Sequence, residues 1–400
     1  MKALVFNGIG KIALKNVKAP ALKHQTDALV KITMSAICGT DLHFIRGTIQ
    51  GMKKGTILGH EGVGIVEKIG SKVRNFKIGD RVIVPSTIGC GKCPHCLEEH
   101  YALCDNANPH GHEAGTAFYG GPAGTGPFNG MQAEKVRVPF ADVNLVKIPD
   151  ELNDEQVILL SDILPTSYMA VEMANVSPID TVAVFGCGPV GQLAIACLKQ
   201  LRVKQIFAID HVKSRLKIAQ LQGARIINFD EVNPVEELRK LTKGKGPTRI
   251  IDAVGVDAEH ASHCSPAMRA EFKKEQKKIA PKTRIHDGNW IPGSGPSQVF
   301  RWAVDAIAKN GVISIIGVYS DLSESFPIGK ATGKNVTIRM GDCNHRKYLP
   351  MLLSWVKNGK IDMRPFLTQK LPFTNIIEAY KHFDKREDNW LKVALTFGKK

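Results

Sequence analysis

Long apolar runs are missing from this 400-residue chain. No stretch approaches the roughly 20 residues that a helix needs to cross a bilayer, so no membrane span is expected. The opening residues, MKALVFNGIGKIALK, carry neither the apolar segment nor the small-residue cleavage site of a secretory signal, and the expected compartment is the cytoplasm. An internal repeat is also lacking. Evenly spaced cysteine pairs are absent: the cysteines number 9, an odd count, and four of them are bunched, unlike a secreted disulfide scaffold. The densest positive run, EFKKEQKK at 271–278, has no aromatic residue interleaved beyond Phe272. It therefore reads as a solvated helix face, and a nucleic-acid partner is not expected.

What is present is the composition of a soluble globular protein, 43% hydrophobic and 23% charged. The length exceeds what one hydrophobic core organises, so two domains are expected. The net charge of +16 favours acidic partners, but its lysines are spread along the whole chain. Up to about residue 160, short apolar segments such as ALVKITMSAI, EGVGIVEKIG and GDRVIVP alternate with glycines, the pattern of a strand-rich domain. From residue 181 the runs TVAVFG, QIFAID, RIINFD, TRIIDAVG and GVISIIGVY alternate with helix-length segments, which predicts a parallel sheet covered on both faces. The fold class is thus α/β. The expected domains are a strand-rich domain over 1–164, a doubly wound domain over 165–342, and a return of 343–400 to the first. Residues 111–130, with 7 glycines and 2 prolines, read as a loop, and 257–297 as a charged insertion with 7 Lys or Arg.

The segment VFGCGPVG sets Gly186, Gly188 and Gly191 in the order G-x-G-x-x-G, with Pro189 and Val190 between the last two, after a strand and before a helix. Such a turn lets a pyrophosphate approach the backbone at a helix N-terminus. Asp210, 24 residues after Gly186, stands where its carboxylate would accept from a ribose hydroxyl and repel a 2′-phosphate, which favours NAD. Arg215 could help hold the ribose. A glycine-rich turn with no nucleotide is the plainer alternative.

Cysteines 90, 93, 96 and 104 fall in GCGKCPHCLEEHYALC, residues 89–104, separated by 2, 2 and 7 residues. Four thiolates so close can converge on one zinc and close its coordination sphere. Two other segments, ICGTDLHF with Cys38, Thr40, Asp41 and His43, and LGHEGVG with His60 and Glu61, carry further ligand types. Taken singly, Cys38 reads as a small buried hydrophobe, His60 as a hydrogen-bonded imidazole and Asp162 as a helix cap.

C-G-T-D-x-H, then G-H-E-x-x-G, then the four-cysteine lobe, then the glycine fingerprint: this order resembles the zinc-dependent medium-chain alcohol dehydrogenase family over essentially the whole chain. The resemblance implies a GroES-like catalytic domain with a structural zinc lobe at about 89–105, joined to a Rossmann domain. It implies two Zn²⁺ per chain, one structural on Cys90, Cys93, Cys96 and Cys104, one catalytic on Cys38, His60 and a third ligand. Many members supply a cysteine there, but LLSDILPTSYMAV offers Asp162, which with VRVPFADVNLVKIPD and the insertion after DAVG is similar to the branch of glutathione-independent formaldehyde dehydrogenase and formaldehyde dismutase. Cys, His and Asp leave a fourth tetrahedral position for substrate. Glu61 is implied beside the metal, and Thr40 and His43 are implied as a proton relay.

The expected function is hydride transfer between NAD and a small alcohol or hydrated aldehyde, formaldehyde included. A polyol or threonine dehydrogenase of the same superfamily, or an aldehyde dismutase with tightly bound NAD, is the alternative. A homo-oligomer, dimer or tetramer, is implied, with the GVISIIGVY strand extending a sheet across a dimer. The insertion would cover the adenosine end of the cofactor or serve as a solvated loop. Cys343 and His345 in MGDCNHRKY could line the cleft, though nothing in their spacing calls for a metal. A zinc-stabilised nucleic-acid binder would explain the charge and the cysteine lobe, but would leave Asp210 and the Cys38, His60 and Asp162 set without purpose.

Overall fold

The computed structural model describes residues 1–111 and 115–398. It divides into two compact units: Met1–Pro165 with Thr283–Trp290 and the stretch from Asp342 onward, and Thr166–Lys282 with Ile291–Gly341. No described helix is long and apolar enough to cross a membrane.

The first unit is built on a seven-stranded sheet. Its path runs Gln369–Pro372, Val393–Thr396, Ala28–Ile37, Gly62–Ile69, Arg81–Val84 and Val146–Lys147, and Lys135–Val138 also pairs with Ala28–Ile37. The strand Ala28–Ile37 buries eight of its ten residues, as its near-continuous run of apolar side chains requires, and so lies at the centre of the sheet. Antiparallel registers set Val393 opposite Ile37, Gly62 opposite Ser35, and Val84 opposite Gly62. Those three pairings bring Lys392, Cys38, Glu61 and the residues just after Val84 to one end of the sheet. The C-terminal stretch thus adds strands to this sheet, together with the helices His345–Lys357 and Ile376–Asp384.

The second unit holds six parallel strands in the spatial order Arg225–Asn228, Gln205–Asp210, Thr181–Phe185, Arg249–Asp252, Val312–Ile315 and Thr337–Met340. Numbered along the chain this is 3-2-1-4-5-6, the doubly wound order whose switch point lies between its first and fourth strands. Ile250 and Ile313 are wholly buried between the covering helices, contributions of about 1.5–3 kcal/mol each. The strand within GVISIIGVY is paired on both sides, so the expectation that it extends a sheet across a dimer is corrected: the sheet edge on that side is Thr337–Met340.

The segment 257–297 is more regular than its sequence suggests. Ser265 accepts from the Met268 N–H at 3.2 Å and Pro266 opens a helix, Pro266–Ile279, which buries Phe272 and Ile279 and exposes Lys273, Lys274, Lys277 and Lys278. This is the solvated basic face expected of EFKKEQKK. The following Thr283–Trp290 belongs to the first unit. There buried Arg46 donates to Asp384 Oδ1 at 2.9 and 2.7 Å, while Asp384 Oδ2 accepts from the Trp290 N–H at 2.7 Å.

Candidate metal centres and the glycine loop

Cys38 follows the central strand and caps the helix Gly39–Arg46. Its N–H donates to Asp41 Oδ2 at 3.1 Å, and the other Asp41 oxygen lies 3.2 Å from His60 Nδ1. A carboxylate on one ring nitrogen fixes the imidazole's orientation and leaves the other nitrogen facing a metal. That nitrogen, His60 Nε2, lies 3.6 Å from Asp162 Oδ2, and Cys38 Sγ lies 3.6 Å from the same oxygen. Asp162 follows the short turn Ile158–Ser161, which is tied to the sheet where the Ser86 N–H donates to the Ser161 carbonyl at 2.9 Å.

One ligand atom from each of Cys38, His60, Glu61 and Asp162 lies within 4.8 Å of all the others, and all four residues are buried. Zinc bonds to nitrogen, oxygen and sulfur at tetrahedral angles put neighbouring ligand atoms about 3.4–3.6 Å apart, so the separations found suit a zinc. Three acidic groups and an imidazole buried together also call for a cation. Lys392 meets part of that need: its Nζ is paired with Glu61 Oε1 and donates to the Ile37 carbonyl at 2.8 Å, whereas buried Glu61 Oε2 has no hydrogen-bond partner.

The side chains alone perturb one another strongly. Burial raises the Cys38 thiol. Burial opposes charge on His60, yet Asp41, Cys38 and Asp162 together hold its ring well above the ordinary histidine value. Asp162 is held well below the usual carboxylate range; burial works against this, and hydrogen bonds from His345 and His60 prevail. Metal binding therefore has protons to displace from Cys38 and His60.

Of the two expected relay residues, Thr40 sits half-buried in the first turn of the helix after Cys38, and His43, three residues on, is buried. The spacing places them on one helix face.

The cysteine lobe has its own geometry. The four sulfurs lie within 4.8 Å of one another, all four residues are buried, and none is in a disulfide. Cys93 Sγ and Cys104 Sγ are 3.9 Å apart, close to the roughly 3.8 Å of two thiolates on a tetrahedral zinc. Backbone N–H groups point inward: Cys90 N lies 3.2 Å from Cys104 Sγ, and Lys92 N and Cys93 N lie 3.4 Å from Cys90 Sγ. Against burial, the Lys92 N–H, the Asn106 side chain and the Cys93 N–H lower the Cys90 thiol to about 7. Burial raises the Cys96 and Cys104 thiols, so a metal in the lobe would have protons to displace, and the four converging sulfurs fit a closed structural site.

In the second unit, Gly186 adopts φ +87°, open to glycine at little cost, and a side chain at Gly191 would collide with the Gly186 carbonyl. Gly188 caps the helix Pro189–Gln200, with Pro189 at its first position and the Val190 carbonyl accepting from Ser167 Oγ at 2.8 Å. Asp210, at the end of its strand, accepts from Cys187 N at 2.7 Å, His211 N at 2.7 Å and Val212 N at 2.9 Å. It braces the glycine loop in addition to the expected contact with a ribose. The Arg215 guanidinium reaches to 4.0 Å from where a side chain at Gly188 would begin. The loop and the helix N-terminus fit a dinucleotide pyrophosphate.

Sequence reasoning assigned no role to Asp41, Ser86 or Lys392, and gave His345 only a place lining the cleft. Asp41 had a signal, because an acid three residues after a helix cap commonly reaches back to the cap's N–H. Lys392 had none, since 331 residues separate it from Glu61.

The alcohol dehydrogenase GroES-like domain family model matches residues 24–150, and the zinc-binding dehydrogenase model matches 189–265. An uncharacterised zinc-type alcohol dehydrogenase-like protein of Bacillus subtilis, AdhB, is 37% identical over 99% of this chain and all of its own. The glutathione-independent formaldehyde dehydrogenase of Pseudomonas aeruginosa is 35% identical over 82% of this chain and 84% of its own. Among solved structures, alcohol dehydrogenase TADH from Thermus sp. ATN1 is 33% identical, with a TM-score of 0.81 over 99% of both chains.

Proposed function

Because this chain belongs to the zinc-dependent medium-chain alcohol dehydrogenase family and is an enzyme of the zinc alcohol dehydrogenase type, we propose that it moves a hydride between NAD and a small alcohol or hydrated aldehyde, formaldehyde included. The observation that carries this reading is the meeting of Cys38, His60 and Asp162 around one point, each 3.6 Å contact running through Asp162 Oδ2. When bound there, zinc supplies Lewis acidity that makes a substrate hydroxyl more acidic near neutral pH, and the dinucleotide supplies the hydride acceptor.

The chain's own groups do the rest. Cys38, His60 and Asp162 would hold the metal, and Asp41, 3.2 Å from His60 Nδ1, would keep the His60 ring turned toward it. Thr40 Oγ would accept the substrate's hydroxyl proton and His43, three residues on along the same helix, would pass a proton on to solvent. Gly186, Gly188, Pro189, Val190 and Gly191 bind the pyrophosphate, with Arg215 beside it. Asp210 receives a ribose hydroxyl and repels a 2′-phosphate, which favours NAD over NADP. Formaldehyde is favoured by Asp162 in the third ligand position and by likeness to the Pseudomonas enzyme.

Purified protein tested for NADH formation with formaldehyde, ethanol, polyols and threonine checks this reading. Turnover of formaldehyde or a simple alcohol is expected; turnover of polyols or threonine alone would move the assignment to that part of the superfamily.

A further inference from the structure

His345 is the first residue of the helix His345–Lys357 and is 2% exposed. Its Nδ1 lies 3.0 Å from the Cys343 carbonyl and 3.0 Å from Thr87 Oγ. Thr87 Oγ also donates to that carbonyl, at 3.2 Å. The ring is therefore fixed from one side. On the other side, Nε2 lies 2.9 Å from Asp162 Oδ1, and Ser86 Oγ lies 3.1 Å from the same oxygen. The two carboxylate oxygens thus face different partners: Oδ2 faces Cys38 Sγ and His60 Nε2, while Oδ1 faces Ser86 and His345.

We propose that His345, seconded by Ser86, is a positioning residue that occupies Asp162 Oδ1 and so confines Asp162 to one-oxygen ligation of the catalytic metal through Oδ2. A carboxylate free to rotate can chelate through both oxygens, which crowds a four-coordinate zinc and favours larger, oxygen-preferring cations. Two donors on Oδ1 oppose that rotation and preserve a tetrahedral set with an open position.

The cysteine lobe contributes to this arrangement. Ser86 and Thr87 stand just before Cys90, and the Ala102 N–H, just before Cys104, donates to Asn344 Oδ1 at 2.9 Å. The loop closed by the four cysteines thus touches Asn344 and His345 from both of its ends. A structural metal in the lobe would hold His345 in place, and His345 would hold Asp162.

The inference rests on the reading of Cys38, His60 and Asp162 as metal ligands, and the test separates the two. Zinc affinity is measured by competition with a chromophoric chelator. Ligand geometry is read from the visible spectrum after cobalt replaces the more labile metal, with the lobe metal retained as the check on folding. His345→Ala is expected to weaken zinc binding about 10–100-fold and to lower the cobalt band intensity as coordination rises above four. His345→Gln, which keeps a donor toward Oδ1, is expected to restore most of both. Should the alanine variant not fold, Ser86→Ala decides, with a smaller loss in the same direction. Wild-type affinity and an unchanged cobalt spectrum in His345→Ala, or in Ser86→Ala if that variant is needed, would overturn the inference. Cys38→Ala loses one metal whatever His345 does; if it kept both, the ligand reading itself would fail.

Discussion

Lys392 and Glu61, 331 residues apart in the chain, form an ion pair in which neither side chain is exposed. The pair closes the end of the sheet at which the candidate ligands gather. Burial opposes the charge on Lys392, but Glu61 and Cys38 hold its ammonium above the ordinary lysine value. Lys392→Met strands a buried carboxylate beside Cys38 and Asp162. We expect it to lower stability by about 3–5 kcal/mol in denaturant unfolding, while Glu61→Gln combined with Lys392→Met recovers part of that loss.

The metal affinity of the Cys38, His60 and Asp162 set should depend steeply on pH. Both Cys38 and His60 have raised values, so near neutrality each carries a proton that a metal must displace. Lower pH favours the protonated ligands and releases metal; higher pH favours binding. Chelator competition over about one pH unit on either side of neutrality should show an affinity change approaching a hundredfold per unit, the slope of two displaced protons.

Much of this architecture was legible in the sequence, because its signals are local. The run TVAVFGCGPVG, residues 181–191, is a strand, a turn and a helix start in one stretch, and the cysteine spacing in residues 89–104 confines four thiols to one loop. The candidate ligand set was legible only through family resemblance, since Cys38 and His60 are brought together by strand register and Asp162 by the turn Ile158–Ser161, not by spacing. Lys392 was not legible at all, and His345 only as a residue that could line the cleft, not as a partner of Asp162. Their partners are fixed by how the C-terminal stretch pairs with the first unit's sheet and by where the helix His345–Lys357 begins, and no short-range pattern encodes either.

Removing a cysteine from the lobe should disorder it without emptying the other site. Cys96→Ser is expected to cost one metal per chain. Proteolytic cleavage within residues 89–105 should accelerate at least about tenfold, the change produced by only ~1.4 kcal/mol of lost local stability. Mass spectrometry of the fragments and metal analysis of the same sample provide the check.

Asp210→Ser should relax cofactor choice. Loss of the carboxylate removes repulsion of a 2′-phosphate and an acceptor for the ribose, so the ratio of kcat/KM for NAD over NADP should fall by about tenfold or more. Because Asp210 also accepts from the N–H groups of Cys187, His211 and Val212, kcat/KM for NAD should itself decline.

Metal counting on Asp162→Ala, purified and confirmed folded by circular dichroism, bears most directly on the claim that a thiolate, an imidazole and a carboxylate share a catalytic zinc. One zinc per chain, held by the four cysteines, with turnover abolished is the expected result. Two zincs per chain with undiminished turnover would contradict it.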